Sequence, residues 1–111
     1  MSSPQEELAA ALTGRIAQKS EADRRAAEGI YQFQVTGPEG GHFVLRVDAA
    51  GATLEAGQDP NAAVTITADW AVLEDLAAGR ANPFGAFMAG RLAVTGSLER
   101  AMKLAGLLGG S

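Results

Sequence analysis

No cysteine occurs among the 111 residues, which removes disulfides, thiolate metal sites and cysteine nucleophiles. That absence suits a reducing compartment, and the expected location is cytoplasmic. Histidine occurs once, as His42. A catalytic imidazole needs an orienting partner and a nucleophile, and a metal wants three or four ligands. Neither a Ser-His-Asp triad nor a histidine metal cluster can be built around it. Clustered cations are also missing. The formal charge is −4 and only Arg24 and Arg25 stand side by side, so there is no footprint for phosphate, and nucleic acid is not an expected partner. No apolar run approaches the ~20 residues that cross a bilayer. Met1 to Glu7 is acidic and polar, unlike the cationic start of a secretory signal, and Leu107 to Ser111 carries no Ser-Lys-Leu address. Nothing repeats, and no cofactor is expected.

What is present is ordinary globular material, 47% hydrophobic and 20% charged, enough for one domain over residues 1–111 with flexible ends at 1–3 and 109–111. Ser3, Pro4 and Glu6 form a helix start with capping-box spacing. Leu8, Leu12 and Ile16 then recur every four residues, while Arg15, Gln18 and Lys19 face elsewhere. The pattern predicts a helix over 4–20 and a solvated link over 21–28.

From Gly29 the period becomes alternating. Tyr31, Phe33 and Val35 alternate with Gln32, Gln34 and Thr36. After the turn at Gly37-Pro38-Glu39-Gly40-Gly41, Phe43, Leu45 and Val47 point inward, with His42, Val44, Arg46 and Asp48 on the other face. A tight turn at Asp48-Ala49-Ala50-Gly51 leads to Leu54 and Ala56. These three strands predict an antiparallel meander, wet on one face. Val64 and Ile66 mark a fourth strand. Asp69 precedes a helix with Trp70, Leu73 and Leu76, closed by Gly79. Asn82-Pro83 starts a short helix with Phe84, Phe87 and Met88, closed by Gly90. Leu92 and Val94 form a last strand, and Ser97 caps a final helix with Leu98, Ala101, Met102, Leu104, Ala105, Leu107 and Leu108. The expected class is α+β: a five-stranded, mainly antiparallel sheet covered on one face by helices, in the order α-β-β-β-β-α-α-β-α.

Reactive chemistry is scarce. Glu6-Glu7 and Glu74-Asp75 are adjacent pairs that point to different sides of their helices, and a solvated face is the favoured reading. The glycines of 37–41 join two strands and so lack the helix N-terminus of a phosphate cradle. Lys103 reads as solvated. What remains is a surplus of apolar helix faces, which either cover one another or line a site. Met88 and Met102, flanking the last strand, suit a variable apolar ligand.

The stretch Asn82-Pro83-Phe84-Gly85-Ala86-Phe87-Met88-Ala89-Gly90-Arg91-Leu92-Ala93-Val94-Thr95-Gly96, continued by Ala101-Met102-Lys103-Leu104, resembles the signature region of the sterol carrier protein 2 family. Arg91 stands where that pattern has Lys. Ala63-Val64-Thr65-Ile66-Thr67, Asp59-Pro60-Asn61 and the helix with Leu73 and Leu76 extend the likeness upstream over about fifty residues, with a looser pattern before them. The resemblance implies a sheet overlaid by helices with an apolar tunnel between, and lipid ligands: fatty acid, fatty acyl-coenzyme A, sterol. It implies a tunnel wall of Phe84, Phe87, Met88, Leu92, Val94, Met102 and, beside Leu104 on the last helix, Ala105. The helical stripe adds Trp70 and Leu73. No catalytic role follows. A transient membrane contact and a homodimer stay open.

A rigid void of ~300 Å³ at about 24 cal/mol per Å³ costs roughly 7 kcal/mol, comparable with a domain's stability of about 5–15 kcal/mol. A bound acyl chain is therefore expected to raise the melting temperature and to order the helix from Ser97 to Leu108. The competing reading keeps the same fold with a filled core and an exposed helix face for dimerisation or docking. A third, a small enzyme using the cavity, lacks a nucleophile and base.

Overall fold

The computed structural model describes residues 4–37 and 40–109. The cap at Ser3, the middle of the turn at Pro38-Glu39, and the chain ends at 1–3 and 110–111 lie outside the described residues. The alternating segments become β1 (Gly29–Thr36), β2 (Gly41–Asp48), β3 (Gly51–Ala56), β4 (Val64–Asp69) and β5 (Leu92–Gly96). They form one five-stranded sheet in the order β3-β2-β1-β4-β5. Every pairing is antiparallel except β1 with β4. Strands 28 residues apart in sequence thus meet at the centre of the sheet.

Register explains which side chains share a face. Ala56, Phe43, Phe33, Ile66 and Val94 form one continuous rung across all five strands. Leu54, Leu45, Tyr31 and Val64 form the next, ending at Gly96. At Gly96, φ is +102° and an added Cβ would sit 2.9 Å from the Ala63 carbonyl oxygen, so only glycine fits there without strain.

The helices lie over this apolar face: α1 (Pro4–Ala17), α2 (Glu21–Ala26), α3 (Trp70–Ala78), α4 (Pro83–Met88) and α5 (Leu98–Gly109). Leu8, Leu12 and Ile16 of α1 are buried with the sheet residues in a single core. Tyr31 is wholly buried and its hydroxyl donates to the Ala27 carbonyl at 2.5 Å. Burial pushes the phenol above its ordinary value, and the nearby Arg100 guanidinium opposes the shift.

The element order gains one helix over the expected series. The first helix ends at Ala17 rather than Ser20, and the expected link at 21–28 contains α2. Ser20 caps it by accepting from the Asp23 amide at 3.1 Å. No apolar stripe announces α2, because none of its residues is buried. Arg24 ties it down instead, donating from Nε and Nη2 to the Ala49 carbonyl at 3.1 and 2.9 Å and from Nη1 to the carbonyls of Ala17 and Lys19.

Three side chains expected on wet surfaces are not there. Gln32 and Val44 are buried on the far face of the sheet, under the segment that follows β3. Gln32 donates to the carbonyls of Phe43 and Gly57 at 3.1 and 3.0 Å and accepts from the Asp59 amide at 2.9 Å, so its buried amide is satisfied. Arg15 reaches across the helical layer and donates to the Leu108 carbonyl at 2.6 Å. A cation at the C-terminal end of α5 also suits the helix dipole.

Candidate functional site

The site follows from where small residues fall in the helical layer. Helix α4 is only six residues long, capped by Asn82, whose side chain accepts from the amides of Phe84 and Gly85 at 2.8 and 3.3 Å. It is too short to cover the β5 edge alone. Helix α5 lies beside it and presents Ala101 and Ala105, one turn apart, where larger side chains would close the gap. A cavity of about 230 Å³ remains between α4, α5 and the sheet.

Its floor is the β5 end of the central rung, Phe33, Ile66 and Val94, together with Leu92. Leu76 of α3 closes the inner end. Pro83, Phe84, Phe87 and Met88 form one wall, and Leu98, Ala101, Met102, Leu104, Ala105 and Leu108 the other. Every lining residue is apolar, so the cavity offers no side-chain acid, base or nucleophile. The mouth lies where Phe84, Phe87, Leu98 and Met102 keep 42–52% of their surface in solvent and Met88 keeps 83%.

Seven of the nine residues expected on the wall, Phe84, Phe87, Met88, Leu92, Val94, Met102 and Ala105, surround this one cavity. Trp70 and Leu73 do not. Leu73 is buried in the core, and Trp70 lies half-buried in a separate surface recess with Glu7, Glu74 and Arg80. At 3.6 residues per turn, Leu73 and Trp70 stand about 60° and 120° around α3 from Leu76, the residue that does reach the cavity. Of the stripe Trp70, Leu73 and Leu76, the Leu76 edge is the one that faces the cavity. The alternating pattern marks Phe33 and Ile66 only as inward-facing strand residues. Only the parallel β1–β4 register brings them beneath α5, and no local pattern encodes it.

The charged groups around the site pair outside the cavity. Asp75 is shared between Arg80 at 3.0 Å and Arg91 at 3.7 Å, and Lys103 meets Glu99 at 3.5 Å. His42 is exposed on β2. Among the described residues there is no group of three His, Cys, Asp or Glu that could hold a metal ion, and no helix is long and apolar enough to cross a membrane.

Comparison with known proteins agrees with this arrangement. A family model described as the SCP-2 sterol transfer family matches residues 8–109. Hydroxysteroid dehydrogenase-like protein 2 of Rattus norvegicus is 31% identical over 101 residues, covering 86% of this chain and 19% of that protein. The chain thus spans about a fifth of the length of the curated relatives it matches. The solution structure of the sterol carrier protein domain 2 of Helicoverpa armigera aligns with a TM-score of 0.68 at 28% identity, over 87% of this chain and 79% of that one. That of palmitated SCP2L2 from Aedes aegypti aligns with the same TM-score, 0.68, at 18% identity, over 87% and 86% of the two chains.

Proposed function

Because the chain belongs to the SCP-2 sterol transfer family, we propose that its cavity takes the hydrocarbon part of a fatty acid or fatty acyl-coenzyme A, with sterol as a third ligand, and that it carries or stores that lipid without chemically altering it. The observation that carries this reading is the wholly apolar lining of a 230 Å³ space with an open mouth. A void of about 150 Å³ already accepts benzene, and whole-ligand sites start near 300 Å³. The cavity therefore suits a section of acyl chain lying inside with its polar head at the mouth. A rigid four-ring sterol asks more of the walls than a chain that can bend to fit.

The driving force is area, not hydrogen bonding. At about 0.8 kcal/mol per buried methylene, ten methylenes supply ~8 kcal/mol before ordering and association costs of several kcal/mol. Contacts with the exposed rim offset part of that cost, so the net stays below ~8 kcal/mol, and binding weaker than about 1 μM with little selectivity is the expected range. The dehydrogenase-like relatives that contain a similar segment support a role beside an enzyme, with this segment supplying lipid binding and not turnover.

Titration of delipidated protein with a fluorescent fatty acid, with palmitate, palmitoyl-coenzyme A and cholesterol as competitors, tests the reading. Saturable binding displaced by the two acyl competitors is expected. No saturable binding of any lipid would end it. Native mass spectrometry of protein purified from cells separates the carrier from a ligand-free interaction module: co-purified lipid supports the first, a lipid-free dimer the second.

A further inference from the structure

Strand β3 ends the sheet on the side away from the cavity, and among the described residues no strand pairs with its outer edge. Natural edge strands are commonly blunted with lysine, proline or a bulge. This one carries none of these. Gly51–Ala56 holds neither Lys nor Pro, and its register with β2 is unbroken over six residues. Its one charge, Glu55, is drawn to Arg46 at 3.2 Å. The phase of the ladder shows what the edge offers. The Gly57 amide donates to the His42 carbonyl at 2.8 Å, so these two residues form a hydrogen-bonded pair. By the same register Val44–Glu55 and Arg46–Thr53 are hydrogen-bonded pairs as well. The amides and carbonyls of Ala52, Leu54 and Ala56 therefore point outward, three donors and three acceptors at every second residue.

We propose that β3 is the edge through which this chain pairs with a second copy of itself, β3 against β3 and antiparallel, about a two-fold axis through Leu54. The two five-stranded sheets then become one. In that register Leu54 opposes the partner's Leu54 and Ala52 opposes the partner's Ala56. Every outward donor of one copy meets an outward acceptor of the other, and the contact is isologous, as a two-fold axis requires. Thr53 falls opposite the partner's Glu55, so no like charges face each other across the joint.

The helical layer fits the same axis. Helix α1 runs antiparallel to β3, with Glu6 and Ala9 beside Leu54 and Ala56, and Ala10, Thr13, Gly14 and Ala17 beside Gly51, Ala52 and Thr53. The two-fold axis sets two such helices antiparallel above the joined sheet, the acidic first turn of one toward the Lys19 end of the other. Small side chains on the facing surface let the helices approach closely. A foreign strand could use the same backbone groups, but only a second copy brings this matching helix with it. The joint is ~20 Å long and two layers deep, less than the about 800 Å² per partner of a standard interface, so a reversible dimer is expected. The cavity lies at the opposite edge of the sheet, beside β5, ~19 Å from β3. Pairing leaves both mouths open and is independent of lipid binding.

The test is analytical ultracentrifugation of the full chain from about 1 μM to about 500 μM, where a monomer–dimer equilibrium is expected. Two double variants then read the register. Ala52→Lys/Ala56→Lys sets like charges opposite each other at both ends of the joint and should weaken association about tenfold. Ala52→Glu/Ala56→Lys sets opposite charges at the same positions and should associate at least as tightly as the wild type. Ala56→Pro removes an outward amide that β2 does not use and should also weaken the dimer. Thermal unfolding and fatty-acid titration of each variant, both expected to be unchanged, show that the fold and the cavity are intact. A monomer at every concentration, an equal loss in the two double variants, or a dimer indifferent to all three changes would overturn the proposal. A dimer that behaves as expected but binds no lipid would sink the cavity reading and leave this edge standing.

Discussion

Replacing Ala105 with Leu puts opposite demands on stability and on binding, and so tests whether the space beside α5 is real. Ala105 lines the cavity and is half-buried. Leucine adds three carbons to a 230 Å³ space, and Ala and Leu have similar helix propensities, so the helix itself is little affected. Three buried methylenes are worth about 2.4 kcal/mol, reduced to about 1–2 kcal/mol because the site is open to solvent. For a domain of this size that raises Tm by about 4–8 °C. The same volume is denied to a ligand, whose affinity should fall by ~2 kcal/mol, about 30-fold. Thermal unfolding of delipidated protein and fluorescent fatty acid titration read the two effects, with Ala71→Leu on the exposed side of α3 as the control for added hydrophobicity. A lower Tm would mean that there is no room to fill. A raised Tm with unchanged affinity would mean that lipid binds elsewhere.

Three further outcomes follow from particular residues. Phe87→Asp should leave a folded protein, since Phe87 is exposed, but weaken fatty-acid affinity 10- to 100-fold by removing roughly 1.5–3 kcal/mol of apolar contact; retained affinity in a folded variant refutes the site. Gly96→Ala forces a side chain into a positive-φ position against the Ala63 carbonyl and should lower stability by about 1–3 kcal/mol; an unchanged denaturant midpoint counts against the β4–β5 geometry. Tyr31→Phe should flatten the alkaline limb of the stability curve. The buried phenol releases its proton at higher pH than in the unfolded chain, so above pH ~10 the unfolded state binds fewer protons. Wild-type stability then falls by up to about 1.4 kcal/mol per pH unit more steeply than the variant's, until the folded phenol itself ionises. Chemical denaturation across pH 8 to 12 reads the difference, and parallel curves would refute it.

The residues that spoke plainly in the sequence are those whose role is local. Asn82-Pro83 and Gly90 bracket α4, and the alternation of Tyr31, Phe33 and Val35 gives β1 and its inward face, because caps and pleats act within a few residues. Helix α2 was hidden because its fixing interaction, Arg24 on the Ala49 carbonyl, lies 25 residues away and leaves no apolar stripe. Gln32 reads as a solvent-facing residue until the segment after β3 folds over it. The cavity is the hardest feature to see, since it consists of what Ala101 and Ala105 do not fill. Their neighbours' pattern shows which face of α5 is apolar, not whether that face meets anything.

The anchoring of α5 fixes one side of the cavity. Its first turn is moored by the Ser97 amide on the Ala63 carbonyl at 3.1 Å and by Arg100 on the Glu28 carbonyl at 2.6 Å, and its last turn by Arg15. Helix α4 is bracketed by two left-handed glycines, Gly79 at φ +78° and Gly90 at φ +76°, and its flanks are tied to α3 through Asp75, which Arg80 and Arg91 share. The α4–α5 wall therefore joins a twelve-residue helix moored at both ends to a six-residue one set between two glycines.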